Sequence, residues 1–186
     1  MNAFGDSTPI KITKLEAARR QLVTAIRIFF ANGDPVLTHA LAAAALGILE
    51  DLDNHGAGTG TTFDRIETRL RPERIERFRE ALRRPQNFFK HADRDPEKAL
   101  EFRPGMAGAI VWAACEKYSE LTKEELLETA AFDAWIMIRD PELLLQPHRE
   151  KVERLGLSTG FTEDMRPQFF EQFSIAYVRS KRKAFG

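Results

Sequence analysis

The sequence holds a single cysteine, Cys115, so no disulfide can close within the chain and no cysteine-based zinc site can be built. It has no net charge: 28 lysines and arginines face 28 aspartates and glutamates. The overall basic excess of a dedicated nucleic-acid binder is therefore missing. No stretch alternates apolar and polar residues with β-branched enrichment, so no strand is assigned. The most apolar run, about 35–52, is shorter than the ~20 residues a membrane span requires. It is interrupted by His39 and closes on Glu50, Asp51 and Asp53. No charged start leads into an apolar run, so no signal peptide is expected, and the expected location is cytoplasmic. There is no glycine-rich phosphate loop, no nucleophile elbow and no His-Glu-x-x-His pair. Neither an internal repeat nor a linker-like composition divides the chain.

What is present is ordinary for a globular chain: 43% apolar and 30% charged residues over 186 positions. That length suits one domain over 1–186, with 1–12 and 180–186 loosely ordered. Its charges are unevenly spread. Residues 32–64 carry five acids and no lysine or arginine, whereas residues 65–84 carry eight arginines against four glutamates. Residues 179–186 add Arg179, Lys181, Arg182 and Lys183. A neutral protein can thus present local positive patches.

The apolar spacing is helical almost throughout. Thr13 and Glu16 form a capping box ahead of Leu15, Ala18, Leu22, Ile26 and Phe30, which recur at three- and four-residue steps. Asn32-Gly33 stops that helix, and Asp34-Pro35 starts the next, a nearly all-round apolar core helix. A helix is expected over 62–70, Pro72 restarts or kinks the run, and a charged surface helix follows to Arg83, with Glu80 and Arg84 at i,i+4. Pro85 is expected to break it, leaving a short helix over 86–92. Arg103-Pro104-Gly105 opens an apolar helix to about Tyr118, in which Gly108, Ala109, Ala113 and Ala114 permit close helix contact. A second capping box, Thr122 with Glu125, precedes a helix to Arg139. Asp140-Pro141 caps another to Leu155, and a last helix starts near Thr162 or Pro167. The fold class is all-α, a bundle of seven or eight helices centred on 35–52 and the two helices after Pro104. Its surplus of apolar helices suggests a homodimer.

Chemistry concentrates in Arg84-Pro85-Gln86-Asn87-Phe88-Phe89-Lys90-His91-Ala92-Asp93. If a helix begins near Pro85, Asn87 and His91 are i,i+4, Asn87 and Lys90 are i,i+3, and Arg84 lies just off the N-terminal end. Arginine suits bidentate phosphate binding, and histidine moves protons near neutrality. Those are the parts of a metal-independent RNA-cleaving site. The plainer reading is a solvated face, with Phe88 and Phe89 holding the helix to the core.

Arg84-x6-His91 resembles the Arg-x(4–6)-His motif of the HEPN (higher eukaryote and prokaryote nucleotide-binding) helical domains. The resemblance implies an all-α bundle, often a metal-independent endoribonuclease whose site forms where two protomers meet. It would make Arg84 the phosphate-binding residue and His91 the catalytic one. The family has a polar residue directly after the arginine, where this chain has Pro85. KITKLEAARRQL, GDPVLTHALAAAALGILEDL and NFFKHADRDPEKALEF also resemble small bacterial proteins of no assigned activity, across roughly the first 140 residues. That similarity implies a bacterial protein.

Two other features carry two readings each, and three single residues carry one. His39 is either a core histidine satisfied by one hydrogen bond or a pocket acid/base beside His91. It has no His-x3-His or Glu-x-x-His spacing, and no metal or cofactor is expected. His55 and His148 read as exposed. The glutamates of 65–84 pair with its arginines, or those arginines meet phosphate. Cys115 reads as an inert buried thiol.

The functional expectation is an RNA- or nucleotide-interacting helical protein, at its strongest a HEPN-like endoribonuclease. Arg84 and His91 would be catalytic, and Asn87, Lys90 and His39 substrate-binding. The alternative is a non-catalytic helical binding or scaffold protein. No membrane partner is expected.

Overall fold

The computed structural model describes residues 8–55, 70–90, 97–139 and 160–184. They form an all-α bundle with no strand among the described residues. The helices are α1 (Lys14–Phe30), α2 (Pro35–His55), α3 (Pro72–Lys90), α4 (Gly105–Thr122), α5 (Leu127–Arg139) and α6 (Arg166–Ala184). A 3-10 turn, Glu163–Met165, leads into α6. Six α-helices among the described residues are fewer than the seven or eight expected. The helix expected over 62–70 lies outside those residues but for Leu70, and the helix expected over 141–155 lies wholly outside them, as does His148. The separate helix expected over 86–92 is overturned: α3 runs through Pro85 without a break.

α1 begins as its sequence dictates. The Thr13 hydroxyl accepts from the Glu16 N–H, and the Glu16 carboxylate accepts from the Thr13 N–H at 2.8 Å. This reciprocal cap satisfies two donors the helix would otherwise strand. The stop is also local. Asn32 takes φ 53°, and the Gly33 N–H closes on the Ile28 carbonyl. A Cβ on Gly33 would sit 2.7 Å from Ile28 Cγ2, so only glycine fits this approach. Asp34 then caps α2, its carboxylate accepting from the Val36 and Leu37 N–H groups.

The second capping box does not form. Thr122 ends α4, where its hydroxyl bonds back to the Tyr118 carbonyl and accepts from the Glu124 N–H. α5 is started instead by Thr129, whose hydroxyl accepts from the Leu126 N–H. A cap motif one turn upstream was outcompeted by bonds within the α4 C-terminus.

α2 lies against α1 on one side and α4 on the other, while α3 rests on α4 and α2. Ala42, Ala45, Leu46 and Leu49 of α2 and Ile110, Ala113 and Ala114 of α4 are buried, and their small side chains bring the helices close. α2 is long and apolar enough to cross a membrane by length and composition, yet much of it is buried against α1 and α4. Its first turn is the exception, with Val36 and Leu37 exposed.

A second, aromatic hub joins α1, α5 and α6. Phe30 stacks on Phe170 at 4.8 Å and meets Trp135 edge-on at 6.1 Å, and Phe29 meets Phe132 at 5.0 Å. Each such pair adds about 0.5–1.5 kcal/mol beyond the area it buries. Polar ties fix the same junction. Asn32 donates to the Asp164 carbonyl, Arg139 donates to the Phe161 carbonyl, and Arg139 and Arg166 both pair with Glu163.

Candidate functional site

Positions 74, 77, 78, 81 and 84 recur at helical steps, so they share one face of α3. Phe78 is buried and meets Trp112 of α4 edge-on at 5.7 Å, which seats this face on α4. Shorter Ala81 leaves room, and the longer arginines rise along the rim. Across from them the segment before α4 contributes Glu101 and Arg103. The result is a groove of about 420 Å³. Its floor is apolar, made by Phe78, Met106, Ala109, Trp112 and Ile136, and its rim carries Arg74, Arg77, Arg84 and Arg103 with Glu80 and Glu101.

The rim charges are poorly neutralised by the protein. Arg84 pairs with Glu80 at 3.5 Å, the i,i+4 contact its spacing predicts. Arg74, Arg77 and Arg103 form no ion pair with a described residue. Guanidinium groups stay charged at all working pH values and present fixed forks of N–H donors. Four arginines against two glutamates therefore leave local positive charge on a chain with none overall. α4 starts at the groove mouth. Its Met106 and Ala107 N–H groups are tied to the Arg103 and Pro104 carbonyls, and the space above Gly105 is open.

Of the residues singled out from the sequence, Arg84 lines this groove. Asn87 is exposed on α3 and does not line it. Lys90 ends α3, but its side chain lies outside the described residues, as does all of His91. Arg84 belongs to the same unbroken helix as Asn87, so it does not lie off a helix N-terminus as expected, while Asn87 and Lys90 keep their i,i+3 spacing. Phe89 anchors as the plainer reading proposed, packing against His39 and Phe102, whereas Phe88 meets Phe89 edge-on.

His39 is fully buried on α2 and does not line the groove. Its ring meets Phe89 at 5.5 Å and Phe102 at 5.7 Å, edge-on to both. Neither ring nitrogen closes a well-formed hydrogen bond with a described residue, so the satisfied-core reading fails in that respect. Burial drives its pKa down to about 4, and the Ala81 backbone carbonyl opposes part of the shift. That carbonyl is available because Pro85, one helical turn on, has no N–H to donate to it.

Three other titratable features fall outside the groove. Lys117 is buried and held by Asp53 at 2.6 Å and Glu120 at 3.5 Å. Burial pushes the nearby Glu50 carboxyl up, and Lys117 opposes it. Cys115 is buried among apolar and small residues, which pushes its thiol well above the ordinary range. His55 is exposed at the end of α2, with Nδ1 against the Asp51 carbonyl at 2.7 Å. Among the described residues, no three His, Cys, Asp or Glu side chains are arranged to hold a metal ion.

Comparison with protein-family models, curated proteins and solved structures finds no match to the chain. The groove's own residues must therefore carry the functional argument. Arg74, Arg77 and Arg103 were not singled out from the sequence. The signal for the first two was there, since they recur with Ala81 and Arg84 at i,i+3 and i,i+4, but the intervening glutamates made self-pairing the favoured reading. Nothing in the sequence places Arg103 opposite them.

Proposed function

We propose that the protein binds a phosphorylated nucleoside ligand, RNA or a nucleotide, in the groove between α3 and α4. The observation that supports this is a rim of four arginines, three without an ion-pair partner among the described residues, around an apolar floor. Arginine forks match phosphate oxygens two at a time. Met106, Ala109 and Ile136 offer a base the surface that water does not, while Glu80 and Glu101 can accept from sugar hydroxyls or base amines. The test is fluorescence anisotropy with a labelled octamer RNA and, by competition, ATP. Arg77→Glu with Arg103→Glu should weaken binding at least tenfold and leave the circular dichroism spectrum unchanged. Absence of binding by the wild-type protein would overturn the reading.

A narrower version makes the protein a metal-independent endoribonuclease of the HEPN kind, with Arg84 on phosphate and His91 moving the proton. It rests on the Arg84-x6-His91 spacing and on Arg84 lining the groove. Cleavage of mixed-sequence RNA in EDTA that is lost in folded His91→Ala would support it, and RNA left intact by the wild type would remove it.

A second reading, a non-catalytic docking protein that includes a homodimer, is favoured by exposed Val36 and Leu37 on α2 and exposed Ile175 and Val178 on α6. Light scattering after size exclusion distinguishes a dimer, and Ile175→Glu with Val178→Glu should dissociate one built on α6.

A further inference from the structure

The groove rim fixes where a ligand's negative charges must lie. Arg74, Arg77 and Arg84 stand on one face of α3, and the ten helical steps from Arg74 to Arg84 span roughly 15 Å of helix axis. Arg103 faces them from the segment before α4. All four side chains are exposed, so the rim is open to solvent along its length. The phosphates of a mononucleotide are joined through single oxygens and bunched at one end of the molecule. With its base on the floor, such a ligand satisfies one end of the row and leaves the other empty. A single strand has the complementary layout, one phosphate per nucleotide with a sugar between each.

The volume limits how much of that strand enters. About 420 Å³ lies near the lower end of the ~300–1,000 Å³ typical of small-molecule sites, enough for one nucleotide. A paired duplex keeps its bases stacked inside and cannot lay one on a floor recessed between helical walls. An acidic peptide matches the arginines but brings no flat ring for the apolar floor.

From this layout we infer that the groove is a site for a single-stranded polynucleotide, seating one base on the floor and about three consecutive phosphates along Arg74, Arg77, Arg84 and Arg103. The inference rests on the groove's being a nucleoside-phosphate site and names which member of that class it takes. Recognition of this kind is tolerant of sequence, because charge and apolar contact with the base, rather than hydrogen bonds to its edge, carry it.

The test is phosphate counting by fluorescence anisotropy. Labelled oligo-U and oligo-dT of one to eight nucleotides are titrated against the full chain at several salt concentrations, beside ATP, a duplex octamer and a poly-glutamate peptide. Affinity should climb over the first three to four nucleotides and then level, the octamer binding at least tenfold tighter than the mononucleotide. For a single strand, three neutralised phosphates give a slope of log affinity against log salt near about −2. Arg74→Ala should weaken octamer binding by about threefold to tenfold and flatten the slope by about 0.7, with little change for ATP. Length dependence on either sugar supports the inference, and the tighter arm identifies the strand. ATP binding as tightly as the octamer, or duplex matching single strand, overturns the single-strand assignment while leaving a nucleoside-phosphate site standing. Binding of poly-glutamate as tight as the octamer, or no binding of any probe, overturns both readings.

Discussion

At the scale of single residues, the conflict around His39 is the one with a measurable consequence. A fully buried ring without a well-formed hydrogen bond costs stability, about 1–3 kcal/mol for a stranded polar group. The ring stays neutral because its folded pKa, about 4, lies below its ordinary 6.5. The unfolded chain therefore takes up the proton first. The stabilisation from a neutral His39 is complete above pH 6.5 and is lost as pH falls through 4. By pH 4 the loss amounts to about 2–3 kcal/mol. Denaturant melts of wild type and His39→Leu at pH 7 and pH 4 test this: the wild type should lose that much more stability than the variant. Equal losses would show that the ring is already protonated or solvated at neutral pH. The sequence showed His39 inside an apolar helix and left its role open. The Ala81 carbonyl that acts on it lies on α3 and is freed by Pro85, a relation set by tertiary contact that no local pattern announces.

Elements were legible where their signals are local and obscure where two signals compete. The caps at Thr13 and Asp34 depend on neighbours within one turn, and both form as their spacing demands. Pro85 carries two opposed signals, a missing N–H and a strongly helical context. The context prevails because α3 is held on both sides of the proline, by Phe78 on Trp112 and by Phe89 on His39 and Phe102. The seam between α2 and α4 shows what periodicity hides altogether. Lys117 falls on an apolar helix face and is nonetheless buried, because Asp53 and Glu120 neutralise it there. Removing one member of such a set leaves uncompensated buried charge. Lys117→Met should destabilise the fold by about 3–5 kcal/mol, since two carboxylates lose their cation. Asp53→Asn should cost less, because Lys117 keeps Glu120. Urea midpoints of the two variants decide it, and an Asp53→Asn protein less stable than Lys117→Met would place the main partner elsewhere.

At the scale of the whole molecule, the aromatic hub and the groove use different parts of the bundle. The hub is built by α1, α5 and α6, with Phe169 buried against Phe30, Trp135 and Phe161. The groove is built by α3, α4 and the segment between them, and Ile136 of α5 is the one lining residue drawn from a hub helix among the described residues. A neutral chain can therefore concentrate positive charge at one place while an uncharged cluster supplies cohesion at another. This division predicts separable effects. Phe169→Ala removes a ring from the hub and should cost about 3–5 kcal/mol of stability. Its ring contacts are with Phe30, Trp135, Phe161 and Phe173, none of them a groove residue, so octamer RNA should bind the folded variant within about twofold of wild type well below its melting temperature, where additivity holds for distant sites. Arg77→Glu should do the reverse, weakening binding at least tenfold while its exposed position shifts stability by no more than about 0.5 kcal/mol. Thermal melts and anisotropy on the same two preparations give all four values. Loss of binding in a folded Phe169→Ala protein would mean that the groove's shape is set through the hub, by way of Ile136 or of Gly108 against Phe29.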